Sequence, residues 1–219
     1  VVLYYTCRAG RPQVCGLRPP RALISYRMEN LRQLLRQECD YVPSDSTLDE
    51  FLGAATLKRL HRSEILVEVG AVADSMYIVK EGILRLTDMN GNRERTFAFG
   101  LPGTVFVSKH SFVRQLPSYY QIEACCDSVV LCIPRRAYDS LIASNHDFTR
   151  WMLVMSQTEL FYQEYKNSSV NNGSAAERFE SLLRLRPEIP MNVSGRTVAS
   201  YLGISPEYYC RLKKRFLKH

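Results

Sequence analysis

Near the carboxyl end, Ser205, Glu207, Tyr208 and Arg211 carry side chains of the kind that reads base edges. An arginine can chelate guanine O6 and N7 through two N–H groups, and a glutamate can accept from cytosine N4. Lys214 and Arg215 continue the same side of what would be one helix. Arg196, Lys213 and Lys218 suit phosphate contacts, which supply affinity without sequence information. No comparable set supports catalysis or metal binding. His61 and His110 stand apart, without the close histidine pair of a metal-dependent barrel, and the seven cysteines contain no C-x-x-C. No nucleophile can be paired with a base. Neither an enzyme, a catalytic residue, a metal nor a bound cofactor is expected.

Base reading requires two helices crossing at a sharp turn, with a small residue at the crossing and a glycine in the turn. The stretch "ASYLGISPEYYCRLKK" meets that need with Ala199 and Gly203. Val198, Leu202, Ile204, Tyr209 and Leu212 form the expected shared core, with Arg196–Leu202 as the first helix. Ser205 suits the N-cap of the second helix, Pro206 its first position and Glu207 its first turn. The bland alternative is a helical hairpin with a solvated basic face. Charge placement weighs for a polyanion. The chain carries +7 overall, with +6 in residues 1–37, +5 in 195–219 and −4 between them.

With 219 residues and 46% hydrophobic content, there is room for one medium domain and one small one. No apolar run approaches the roughly 18 residues of a membrane span, and no secretory signal is evident, so a reduced, cytoplasmic protein is expected. Residues 1–45 read as an extension that becomes helical from Met28, itself a candidate natural start. "SDSTLDEFLG" predicts a short helix capped by Ser46. From about Thr56 to Pro134, short β-rich runs such as "MYIVKEG", "ILRLTD" and "SVVLCIP" alternate with turns at Gly70, Gly82, "DMNGN" and "LPG". Their spacing predicts an antiparallel barrel or jelly roll over residues 46–145. Residues 146–172 predict a long helix, apolar on much of its circumference through Phe148, Trp151, Met152, Met155, Tyr162 and Tyr165. Such a helix needs two partners, here the roll and a second subunit. Residues 173–219 then form a small all-α unit that begins with a capping box from Ser174 to Glu177.

The order roll, long helix, helix-turn-helix resembles the Crp/Fnr family of bacterial transcription regulators from about Ser46 onward. "VGAVADSMYIVKEGILRL" and "LPGTVF" are similar to its glycine-punctuated roll, and "GISPEYYCRL" to its Gly-x-Ser-x-Glu-x-x-x-Arg recognition helix. The resemblance implies an α+β chain: an N-terminal antiparallel β-roll, a dimerisation helix and a helix-turn-helix domain. It further implies a homodimer on double-stranded DNA, with RNA polymerase as a further candidate partner. Two features depart from it. Family members that bind cyclic AMP place a Gly-Glu after the "PG" turn and an arginine about ten residues on. Here Val107-Ser108 and Ser118-Tyr119 stand at those places, and Arg114 would need a loop shift to substitute. Cyclic AMP is therefore not expected as effector. After Lys213 only "KRFLKH" follows, too short for the family's β-hairpin wing. The competing reading is a small-ligand sensor whose output is not DNA binding.

Overall fold

The computed structural model describes residues 28–90, 93–168 and 173–216. Helix α1 (Met28–Gln37) buries Leu31 and Leu35, one helical turn apart, against the following domain. Helix α2 (Asp45–Gly53) begins earlier than its sequence predicts, with Ser44 as N-cap instead of Ser46. A distant contact selects it. The Ser44 N–H and hydroxyl both donate to Asp147 Oδ2 at 2.8 Å, while its Oγ accepts the Thr47 N–H.

Eight antiparallel strands form the roll: β1 (Thr56–Leu60), β2 (Ile65–Val67), β3 (Ser75–Glu81), β4 (Leu84–Asn90), β5 (Arg93–Gly100), β6 (Val105–Phe106), β7 (Gln121–Ala124) and β8 (Ser128–Pro134). One sheet has the order β1-β8-β3-β6 and the other β2-β7-β4-β5. Hairpin β4–β5 pairs from Leu84↔Gly100 to Asn90↔Arg93 with a one-residue register shift between Leu86 and Thr87, and Gly91 and Asn92, expected in the turn, lie outside the described residues. Leu84, Phe106, Ile122 and Val130 fill the space between the sheets. Gly82 has φ +87°, and a Cβ there would stand 2.1 Å from Ser128 Oγ, so the β3–β4 turn excludes every other residue. Helix α3 (Lys109–Arg114) interrupts the roll between β6 and β7.

Helix α4 (Arg135–Ser144) leads into α5 (His146–Ser168), the longest helix. Phe148, Trp151, Met152 and Met155 of α5 are buried in the chain's own core with Leu31, Leu35 and Phe51. The Phe51 and Trp151 rings meet edge to face at 5.4 Å. These four residues therefore face the intrachain one of the two expected partners. Periodicity identifies them as apolar, but the roll and α1–α2 are what cover them. The apolar side chains that α5 leaves exposed are instead Leu153, Leu160 and Phe161. The side chains of Tyr162 and Tyr165 lie outside the described residues. Among the described residues, no helix is long and apolar enough to cross a membrane.

The C-terminal unit comprises α6 (Ala175–Leu185), α7 (Glu188–Asn192), α8 (Gly195–Leu202) and α9 (Pro206–Phe216). The capping box opens α6: Ser174 Oγ accepts the Glu177 N–H, and the Glu177 carboxylate accepts the Ser174 N–H at 2.6 Å. Phe179, Val198, Leu202 and Tyr209 pack into one cluster with Ile83, Phe99 and Leu101 of the roll, so the unit is docked on the β2-β7-β4-β5 sheet.

Candidate nucleic-acid interface

The α8–α9 turn is dictated by its backbone. Gly203 adopts φ 66°, ψ 36°; its N–H donates to Ser200 O at 3.1 Å, and the Ile204 N–H to Ala199 O at 3.0 Å. This pair of bonds closes a helix through a left-handed glycine. Nothing lies within 4 Å of the place a Gly203 Cβ would take, so conformation alone requires glycine there. Ala199 is buried where the helices cross. At the other end of α8, a Cβ on Gly195 would stand 3.1 Å from the Tyr209 ring, and Tyr209 in turn meets Phe179 edge to face at 5.4 Å.

Helix α9 starts as its sequence predicts. Ser205 Oγ accepts the Tyr208 N–H at 3.2 Å, and Pro206 opens the helix. Hydrogen bonds from its own N–H and from the Ser205 hydroxyl, then the Arg211 charge, hold the Glu207 carboxyl below the usual carboxylate range. It is therefore a permanent acceptor at neutral pH. Ser205, Glu207, Arg211, Lys214 and Arg215 are exposed, with Tyr208 half-buried. The Arg211 guanidinium lies 5.3 Å from the Tyr208 ring centroid, within cation–π range. Cys210, also exposed, was passed over by sequence reasoning. The spacing 207, 210, 211, 214 puts it on the same outward stripe, which the helical period alone could have revealed.

One expected phosphate contact is engaged within the C-terminal unit, and another stands beside the roll. Lys213 donates from Nζ to Pro190 O at 3.0 Å and lies 6.0 Å from the Tyr209 centroid, so it ties α9 to α7 instead of standing free. Arg196 is exposed but lines a groove of about 460 Å³ with Arg85, Glu94, Thr197 and Ser200, on the side of α8 next to the roll. Lys218 lies outside the described residues.

That side of α8 is fastened to the edge of the sheet. Ser200 Oγ accepts the Thr96 N–H at 3.0 Å and also contacts Glu94 O at 3.4 Å, serving both backbone groups of the β5 edge. The Phe99 and Tyr201 rings lie 5.0 Å apart. Beneath them Arg85 bridges Glu94 at 2.7 Å and Glu123 at 2.6 Å and donates to Thr96 Oγ1 at 3.0 Å. Side-chain exposure is 11% for Arg85 and 13% for Glu123 but 46% for Glu94. Arg85→Ala leaves the Glu123 carboxylate buried without its cation, and is expected to lower stability by about 3 kcal/mol. Glu94→Gln should cost less than about 1 kcal/mol because that end of the bridge is solvated. Urea unfolding followed by tryptophan fluorescence compares the two. Equal effects would show that Glu123 does not depend on Arg85.

In the roll, the positions expected to clasp a cyclic nucleotide are occupied by neutral groups bonded to each other. Ser108 and Ser118 are 1% and 2% exposed, and their hydroxyls lie 2.8 Å apart in a hydrogen bond. Ser118 Oγ also contacts Tyr120 O at 2.7 Å. Val107 is half-buried beside the core, and Tyr119 lies outside it, stacked on His110 at 4.4 Å. Arg114 is exposed at the end of α3 and does not join the serines. Among the described residues, the hydrogen-bond partners of Ser108 and Ser118 include neither a cation nor a carboxylate. Cys125 and Cys126 fall in the β7–β8 turn, packed against the roll–α8 junction, and burial pushes the Cys125 thiol up to about 12. That thiol stays protonated and unreactive at neutral pH.

Residues 57–145 match the family model of the cyclic nucleotide-binding domain. The chain is similar in fold to FixK2 from Bradyrhizobium japonicum (TM-score 0.63, 22% identity, 75% of this chain and 85% of that one). It is similar to the c-di-GMP responsive global regulator CLP of Xanthomonas campestris (TM-score 0.62, 17% identity, 80% and 92%). A third similar structure is the catabolite activator protein of Thermus thermophilus (TM-score 0.52, 19% identity, 80% and 84%). No curated protein sequence is significantly similar.

Proposed function

We propose that the chain is a sequence-specific, DNA-binding transcription regulator of the Crp/Fnr type, a reading supported by the match of residues 57–145 to the cyclic nucleotide-binding domain model and by the fold likeness to FixK2, the catabolite activator protein and CLP. It acts as a homodimer on a palindromic site in the cytoplasm and is not switched by cyclic AMP. The carrying observation is the ionised Glu207 carboxylate and the Arg211 guanidinium beside the Tyr208 ring, both exposed on the outward stripe of α9. A helix carrying such a pair at its amino-terminal end enters the major groove with those residues at base edges. Independence from cyclic AMP is supported by the Ser108–Ser118 hydrogen bond, which stands where a carboxylate and a guanidinium would hold ribose and phosphate.

Selection from random duplexes with the purified protein tests this reading. The expected product is a palindrome whose half-sites are about one helical turn, roughly 34 Å, apart. Equal binding to selected and random DNA would overturn it. Calorimetry with cyclic AMP should give no heat of binding, and tight binding would return the ligand-sensor reading.

A further inference from the structure

Helix α3 begins with a cation. The amino-terminal end of a helix carries partial positive charge, so a lysine in first position is disfavoured unless an anion meets it. Lys109 is that residue, and its ammonium pairs with the Glu159 carboxylate of α5. Their side chains are 43% and 18% exposed, so the carboxylate lies mostly out of water. Glu159 also breaks the pattern of its own helix. Phe148, Trp151, Met152 and Met155 make up the buried stripe of α5, and the next place on that stripe, one turn beyond Met155, falls to Glu159. Each residue is out of keeping with its local setting, and each is explained by the other.

The two partners differ in how firmly they are held. Helix α3 is fastened to the roll at several points. Ser111 is fully buried and accepts the Ala73 N–H at 2.8 Å, while the Gln115 amide donates to Ala73 O at 3.0 Å. Arg135, where β8 passes into α4, donates to Phe112 O at 2.5 Å, and the Phe112 ring is buried in the core. Lys109 is therefore a fixed point. Glu159 stands at the end of the buried stripe, and the exposed Leu160 and Phe161 follow it directly.

The C-terminal unit is docked on the same roll through Ile83, Phe99 and Leu101. With that unit fixed, the direction of α5 across the roll decides where a second copy packed along α5 carries its own reading helix. We propose that Lys109 and Glu159 are positioning residues for DNA binding: their ion pair sets the direction of α5 beside the subunit seam, and through it the separation of the two reading helices. This rests on α9 being the reading helix and on the exposed apolar side of α5 being the subunit contact. A partly exposed ion pair adds little to stability, but a single charged link between a fixed helix and a long one fixes an angle.

The test measures affinity of the full chain for the selected palindrome, for palindromes whose half-sites are moved one base pair closer or further apart, and for a duplex with one half-site. Lys109→Glu puts a carboxylate at the start of α3, where the helix dipole favours it, and opposite Glu159, which repels it. Its melting temperature should stay near that of the unsubstituted protein. Affinity for the selected palindrome should fall by between about 5- and 150-fold, the range of a coupling between distant sites. Preference for the selected spacing should flatten, and binding to the single half-site should not change. Adding Glu159→Lys restores the pair with its charges exchanged and should recover most of the affinity and the preference. Unchanged palindrome affinity for Lys109→Glu overturns the positioning role, as does an equal loss on the single half-site. A loss equal at every spacing also overturns it, because the pair would then act on the strength of subunit association alone. Failure of the exchanged pair to recover binding overturns it too. An unsubstituted protein that binds the palindrome no better than one half-site overturns the dimeric reading and the positioning role together.

Discussion

Arg211→Ala is expected to weaken binding to the selected site by between about 30-fold and 10⁴-fold while changing binding to random DNA far less. A bidentate arginine–guanine contact discriminates by about 1–3 kcal/mol, and a symmetric dimer loses it twice, giving about 2–6 kcal/mol. The upper part of that range is favoured by preorganisation. The guanidinium already lies within cation–π range of Tyr208, and the neighbouring Glu207 carboxylate is already ionised, so little ordering cost falls on binding. Arg211→Lys should not rescue, because an ammonium lacks the planar fork. Competition of labelled site against random duplex separates the possibilities. If Arg211→Ala weakens both equally, Arg211 is a phosphate contact, and base reading must be assigned to Glu207 and its neighbours on the stripe.

The reading unit was legible because its constraints are local. A left-handed Gly203, the small Ala199 at the crossing, and Ser205 and Pro206 as cap and first residue all act within a few positions of themselves. The roll was legible for a related reason, since alternation and turn glycines mark strands wherever one face is covered. Strand β1 falls at the start of the expected β-rich region, but four of its five residues are exposed, so its pairing with β8 leaves no alternation that would mark its bounds. Contacts across long sequence separations were also invisible. Asp147 selects Ser44 over Ser46 as a cap, the Pro190 carbonyl ties Lys213 to α7, and Glu94 and Glu123 converge on Arg85 from neighbouring strands. In each case the residue type is ordinary, and only the fold supplies its partner. The same limit holds on α5, where composition shows a helix apolar on several sides but cannot say which side the roll covers.

The division of α5 into a buried and an exposed apolar face yields a second large effect, and the two faces should fail in opposite ways. Phe148, Trp151, Met152 and Met155 follow the spacing i, i+3, i+4, i+7 and are buried within the chain. Leu153 and Leu160 are seven residues apart on the opposite side, the repeat of a helix–helix seam. Leu160 and Phe161 are 62% and 65% exposed. Two adjacent side chains so apolar and so exposed favour cover by a second copy of the helix. Leu160→Asp with Phe161→Asp places carboxylates in that seam and is expected to give a folded monomer. Its melting temperature, measured where both forms are monomeric, should be nearly unchanged, since little intrachain packing is lost. A monomer engages one half-site only, so affinity for the palindrome should fall by more than about 100-fold, because the second half-site is no longer bound at high effective concentration. Trp151→Ala should instead remove about 3–5 kcal/mol of stability through the cavity it leaves. Where that protein remains folded, it should still associate. Sedimentation and thermal melting of both variants decide the matter. A double-aspartate protein that stays dimeric would place the subunit contact on some other surface, and the spacing of the two reading helices would then have to be set from there.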